Sequence, residues 1–236
     1  MRHGITLVKL ILLLIMIAHP LFYFAMYSGD AEIHLVYAKN AAEGHFFEFN
    51  FGEKSAGVTS PGYMMLLSGM FELFPETYVP LIVKLMNILA WYAFLAAVFI
   101  LSKKLIGDSG WAWVATLIVA LMPGTVYNAT LGMENGIFGA ILLIWFLLVM
   151  RWNWFTDSGA RPGREMTLGL LLGIMCWIRP EGFILAAIAL LFRFVVLLRI
   201  ESVSLRSILV SVRGTLVVMA PVVLLCSLYF YFHYSQ

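Results

Sequence analysis

Val79-Pro80-Leu81-Ile82-Val83-Lys84-Leu85-Met86-Asn87-Ile88-Leu89-Ala90-Trp91-Tyr92-Ala93-Phe94-Leu95-Ala96-Ala97-Val98-Phe99-Ile100-Leu101-Ser102 is an apolar run broken by a single charge, Lys84. As a helix rising about 1.5 Å per residue it covers roughly 36 Å, enough to cross the ~30 Å of hydrocarbon in a bilayer. Working outward, the runs near 5–27, 111–128, 135–151, 183–198 and 214–232 read the same way, and a shorter run at 166–178 makes a seventh. The first run follows Arg2 and Lys9 as a signal peptide would. It is too long for such a core, and Tyr27-Ser28-Gly29 offers no small-x-small cleavage site, so it reads as an uncleaved anchor.

Composition agrees. Of 236 residues, 62% are hydrophobic and 12% charged, against roughly 45–50% and about 25% in soluble domains; mean hydropathy is +0.94. An ordinary soluble enzyme, a disordered chain and a disulfide scaffold are excluded. Cys176 and Cys226 fall inside apolar runs and form no CxxC pair, so neither a disulfide nor a thiolate metal site is indicated. The expected fold is all-α: one polytopic membrane module over 1–236 with about seven transmembrane helices. The bilayer is the expected partner and nucleic acid is not.

Charge sets the orientation. With the N-terminus in the cytoplasm, seven alternating spans put Arg2, Lys9, Lys103, Lys104, Arg151, Arg161, Arg164, Arg193, Arg199, Arg206 and Arg213 inside or at the inner boundary, eleven of 15 basic residues. That is a positive-inside bias. Lys39, Lys54, Lys84 and Arg179 are the remainder. Trp111, Trp113, Trp152 and Trp154 flank the same inner loops, as an aromatic belt should. Asp30, Glu32, Glu134 and Glu181 all fall on the other side, so the candidate chemistry belongs to the extracytoplasmic face of a multi-pass cell (inner) membrane protein.

The one long connection, 28–78, is the expected first outer loop. Asp30 to Glu43 reads as a short helix started at Ser28 or Gly29 and stopped at Gly44. Phe47, Phe49 and Phe51 alternate with Glu48 and Asn50, a period of two suited to an extended segment with one greasy face. Ser60 caps and Pro61 opens a second helix that ends before Pro75, too short to cross. Both helices are expected along the outer interface.

The loop has a specific text: Gly29-Asp30-Ala31-Glu32-Ile33, Tyr37-Ala38-Lys39-Asn40, Gly44, Phe49-Asn50-x-Gly52-Glu53 and Gly57-x-Thr59-Ser60-Pro61. It resembles the first outer loop of the GT-C superfamily of polyprenyl-phosphate-sugar-dependent glycosyltransferases, especially the branch with mycobacterial arabinofuranosyltransferases and relatives of protein O-mannosyltransferases. Gly132-Met133-Glu134 resembles the second acidic motif of that branch, and Arg179-Pro180-Glu181-Gly182 its Arg-Pro-acid-Gly motif. The resemblance implies transfer of a sugar from a polyprenyl-phosphate donor to a glycan, lipid or protein acceptor at the extracytoplasmic face. It also implies more spans than seven, often followed by an outer soluble domain, so this chain is expected to match the N-terminal part of that architecture.

Such a transfer needs a base near the acceptor hydroxyl and positive charge where the leaving phosphate grows negative. Asp30 is the base candidate; the competing reading makes it an acid favoured in the first turn of a helix. Glu32 shares no helix face with it. In an extended start, Asp30 and Glu32 with His34 would offer an oxygen and nitrogen site for a divalent cation, Mg²⁺ or Mn²⁺. Glu134 is the second acidic candidate, with the same helix-start alternative. Arg179 either grips the donor phosphate through its planar fork or pairs structurally with Glu181. Lys39 and His45 are further phosphate candidates, each otherwise a solvated interface residue, and Ser60 and Glu181 join the substrate-binding set through their motifs. Two other classes compete: a lipid-linked sugar transporter or flippase, which calls for ionisable groups near the bilayer midplane and broken helices, and a catalytically silent assembly subunit.

Overall fold

The computed structural model describes residues 2–55, 57–157, 161–200 and 215–225, with 227 and 231. Helices stand at every place where an apolar run was read. They are α1 (Arg2–Ala18), continued by a 3-10 turn at His19–Tyr23, α2 (Gly29–Ala42), α3 (Pro61–Leu73), α4 (Val79–Ile106), α5 (Ser109–Leu121), α6 (Pro123–Thr130), α7 (Asn135–Arg151), α8 (Pro162–Ile178) and α9 (Glu181–Ile200); a tenth, α10, covers Thr215–Leu225. A two-strand antiparallel hairpin, β1 (Glu48–Asn50) and β2 (Glu53–Lys54), is the sheet among the described residues. The expected all-α class stands. Arg206, Arg213 and Cys226 lie outside the described residues.

Among the described residues one stretch, Glu76–Ile106, is long and apolar enough to cross a membrane by itself. The run read as a single span at 111–128 is instead two helices, α5 and α6, bent by 65°. Pro123 explains the break: it lacks the N–H that would continue α5, and it drives Met122 out of the helical region to ψ 109°. The two pieces together pass the same length and composition test. Helix α8 starts at Pro162, four residues before the expected Met166, so the segment preceding Arg179 is a turn longer than the sequence suggested.

Helix α4 is the hub. Val79 and Val83 join Tyr37, Ala38, Tyr63, Met64 and Leu67 of α2 and α3 in one cluster, while Trp91 and Leu95 pack with Met16, Ala120, Val126 and Ala129 of α1, α5 and α6 in another. Trp145, Leu168, Leu172, Met175, Ala186 and Val218 make a third between α7, α8, α9 and α10. In that third cluster Gly169 and Gly173 lie one turn apart on α8, where a Cβ on Gly169 would collide with the Val218 carbonyl and one on Gly173 with Leu225. Their bare backbone lets α10 sit against α8. On the outer faces Leu81, Leu85 and Leu89 form an exposed stripe along α4, as do Ile184, Ile188 and Leu191 on α9.

Two expectations need correction at the end of the bundle that carries Lys103, Lys104 and Arg151. Arg193, counted among the inner-side cations, is not an exposed charge: it is 1% exposed, forked onto Glu165 by Nη1–Oε2 (2.9 Å) and Nη2–Oε1 (2.8 Å), with its guanidinium 4.4 Å above the Trp154 ring. Trp154 is not a belt residue either, since it is buried and donates Nε1–H to Glu165 at 2.7 Å. The aromatic alternation at 47–51 also divides. Phe47, at φ +58°, turns into the core, whereas Phe49 and Phe51 stay exposed against Tyr37 and His45.

Candidate functional site

Helix α2 starts where the sequence says. Ser28 is its N-cap, with Oγ accepting from the Ala31 N–H at 3.0 Å, which satisfies one of the orphan donors of the first turn. The Ser28 N–H donates to the Leu131 carbonyl at 3.3 Å, tying this start to the α6–α7 connection. Gly132 sits in that connection at φ +87°, where a Cβ would lie 2.8 Å from the Tyr27 ring. Handedness and lack of space both demand glycine there.

Asp30 is exposed in the first turn of α2. His34, one turn later on the same face, is 5% exposed; its Nε2 lies 3.6 Å from Glu134 Oε2, and its ring meets Tyr63 edge-on at 5.6 Å. Burial lowers the His34 pKa; the carboxylates of Glu134 and Asp30 oppose that shift and Arg179 reinforces it. His34 is therefore the neutral member of the group.

Glu134, just before α7, is 2% exposed. Its Oε1 lies 3.1 Å from Arg179 Nη1, which also donates to Asn135 Oδ1. The other edge of the guanidinium clasps Glu181, Nε to Oε2 at 3.1 Å and Nη2 to Oε1 at 2.9 Å. One arginine thus joins a buried carboxylate to one that is half exposed. The chain between α8 and α9 makes this geometry: Arg179 is extended and closes α8 with its N–H on the Met175 carbonyl, and Gly182 packs on the last turn of α8 where a Cβ would strike Met175.

Asp30, Glu134, Arg179 and Glu181 therefore come to one end of the bundle, around His34. Glu32 does not share the site, because α2 is helical from Gly29 and positions 30 and 32 lie roughly 200° apart around it. The extended start that would have paired the two acids is not how the chain runs. Among the described residues no group of three or more His, Cys, Asp or Glu side chains could hold a metal ion, and Asp30 and Glu32 do not face one another as a ligand pair. Lys39 is a surface partner of Glu76 at 2.8 Å. His45 pairs with Glu48 at 3.1 Å in the hairpin, where the Gly52 N–H and then His45 hold the Glu48 carboxyl below its usual range. Ser60 occupies the N-cap position of α3 without capping it; its hydroxyl is buried and unpartnered, and its carbonyl accepts from Tyr63 and Met64.

Sequence reasoning missed the floor of the site. Tyr63 donates to the Gly132 carbonyl at 2.7 Å and accepts from Asn87 at 3.3 Å. Lys84, 2% exposed, points its ammonium at the carbonyls of Tyr23, Met26 and Thr130 and lies 4.3 Å from the centre of the Tyr27 ring. The signal was present: Lys84 and Asn87 stand three apart, on one face, in the long apolar run of α4, and polar groups in such a run face protein rather than lipid. Beside Tyr63, a cavity of about 380 Å³ opens between α3, α7, α8 and α10, lined by Gly62, Leu66, Ile137, Trp177, Ile178 and Leu225. Ile178, one of its lining residues, directly precedes Arg179 in the chain. No family model, no curated protein and no solved structure matches the chain.

Proposed function

We propose that the chain is a membrane-embedded glycosyltransferase of GT-C type, moving a sugar from a polyprenyl-phosphate donor to an acceptor at the extracytoplasmic face of the cell membrane. One observation carries the reading. The three stretches that resemble GT-C motifs lie far apart in sequence, and Arg179 meets Glu134 and Glu181 while Glu134 meets His34 one turn from Asp30. In this reading seven spans cross the membrane with the N-terminus in the cytoplasm, supported by exposed apolar stripes on α4 and α9 that suit lipid better than water.

The roles follow from exposure. Asp30 is open to solvent and takes the proton as the acceptor oxygen bonds to the anomeric carbon. The bond from that carbon to the phosphate oxygen breaks, and its electron pair leaves with the polyprenyl phosphate. Arg179 neutralises that charge. Glu181, 53% exposed, is the exchangeable partner: donor phosphate replaces it on the guanidinium while buried Glu134 keeps the opposite edge in register. The apolar channel beside Ile178 takes the first prenyl units. Asp30→Asn tests the assignment by single-turnover transfer in proteoliposomes, where a loss of about 10²–10⁴ in rate with an unchanged fold is expected. A rate within a few-fold of the parent would return Asp30 to the role of helix-start acid.

A second reading, a transporter of lipid-linked sugar, is favoured by the break between α5 and α6 together with Lys84 buried against the α6 C-terminal carbonyl. It predicts acceptor-independent movement of labelled lipid-linked sugar between leaflets. Transfer without such movement selects the enzyme.

A further inference from the structure

A groove that the transfer reaction does not use runs along the bundle from Met175 and Leu185, one turn from Arg179 and Glu181, toward the end away from Asp30. It has a volume of about 470 Å³, the size of a lipid- or drug-sized pocket, and runs between α4, α7, α8 and α9, lined by Leu101, Leu142, Phe146, Phe155, Ile188 and Phe192 among other apolar side chains. Ile188, Phe192 and Phe146 are 59%, 53% and 39% exposed, so the groove opens sideways on the outer surface of the bundle rather than into its core.

Its far end is basic. Leu101 is followed on α4 by Lys103 and Lys104, α7 continues from Phe146 to Arg151, and the connection that contributes Phe155 leads to Arg161 and Arg164. Arg164 sits 5.7 Å from the Trp152 ring. The nearby acid Glu165 is already taken by Arg193, and among the described residues no ion pair engages Lys103, Lys104 or Arg151. An apolar slot flanked by exposed cations is complementary to a molecule with a hydrocarbon chain and an anionic head.

We propose that this groove is a binding site for an anionic diacyl phospholipid, with one acyl chain in the slot and the phosphate at Lys103, Lys104 and Arg151. Its cationic end, at the C-termini of α4 and α7, lies away from Asp30. It shares with the proposed function only the premise that the bundle lies in a bilayer, and it is read without any transfer assay.

The experiment is native mass spectrometry of the full chain released from mixed micelles of dioleoylphosphatidylglycerol and dioleoylphosphatidylcholine. The parent should retain phosphatidylglycerol over phosphatidylcholine by on the order of tenfold. Lys103→Gln/Lys104→Gln/Arg151→Gln should erase the preference, and Ile188→Trp, which fills the slot from its exposed wall, should lower retention of both lipids. Leu185→Trp replaces Ile188→Trp if circular dichroism shows the latter unfolded. Equal retention of the two lipids by the parent overturns the proposal. So does loss in the charge variant alone, which would reduce the attraction to a basic surface without a seat.

Discussion

Arg179 joins the two halves of the candidate site, and a substitution that keeps its charge separates geometry from electrostatics. Arg179→Lys retains the cation but cannot hold Glu134 and Glu181 on opposite edges at once. Apparent donor KM should rise on the order of tenfold, with a smaller change in kcat, in a steady-state transfer assay. His34 makes a second, pH-dependent test. Its folded pKa lies below the ordinary 6.5, so as the pH falls through that value the unfolded chain binds a proton that the folded chain refuses. Stability contributed by neutral His34 is therefore complete above about pH 6.5 and declines toward the lowered folded pKa. Denaturation midpoints measured between pH 7.5 and 5 should show that slope, and His34→Gln should flatten it. At this scale the sequence disclosed Asp30, Glu134 and Arg179 through motif text, since a motif records which residue types stand at which spacing. It was silent on Tyr63, which bonds the Gly132 carbonyl and Asn87, and on Asn135, which accepts from Arg179; the structure pairs Lys39 with Glu76 and His45 with Glu48 and turns Glu32 to another face of α2 from Asp30. The pairings of Lys39 with Glu76 and of His45 with Glu48 join residues that no pattern along the chain brings together, whereas the separation of Glu32 from Asp30 follows from the roughly 100° step of a helix.

Among elements, α8 and α9 carry the sharpest energetic expectation. Arg193→Met would leave Glu165 buried without its bidentate partner and without the stacking on Trp154, and should destabilise the bundle by about 3–5 kcal/mol in a detergent unfolding series. Adding Glu165→Met should recover much of that loss, because replacing both members of a buried pair by apolar groups removes the desolvation cost as well as the attraction. Recovery of nothing would mean that the pair is not what joins α8 to α9. Helix positions were legible from apolar run length: α7 occupies 135–151, as read, α2 begins at Gly29 after its cap Ser28, and α3 begins at Pro61 although Ser60 does not cap it. The break at Pro123 could have been foreseen from proline alone. The early start of α8 was hidden because Arg164 and Glu165 interrupt hydropathy without interrupting the helix, Glu165 being turned inward to Arg193.

For the whole molecule the test is sidedness. A cysteine placed at Ser55, just after β2, should react with an impermeant maleimide from outside intact cells, while one at Ser109, the first residue of α5, should react only after permeabilisation. Reaction of both from the same side would dismantle the proposed orientation and, with it, the extracytoplasmic site. If the bundle crosses the membrane as proposed, the Arg193–Glu165 pair also has a role during synthesis. A solitary arginine costs up to roughly 2.5–3.5 kcal/mol to insert at the centre of an apolar helix and less toward its end, so α9, with Arg193 in its second half, would be a reluctant guest of the translocon when it emerges alone from a ribosome. Once α8 has been held nearby with Glu165 turned toward the same seam, the two can leave for the lipid together as a neutral hairpin. The order of synthesis, acid first and base 28 residues later, then becomes part of how the protein is made: a chain with the two residues exchanged, Glu165→Arg with Arg193→Glu, would have to park its arginine first.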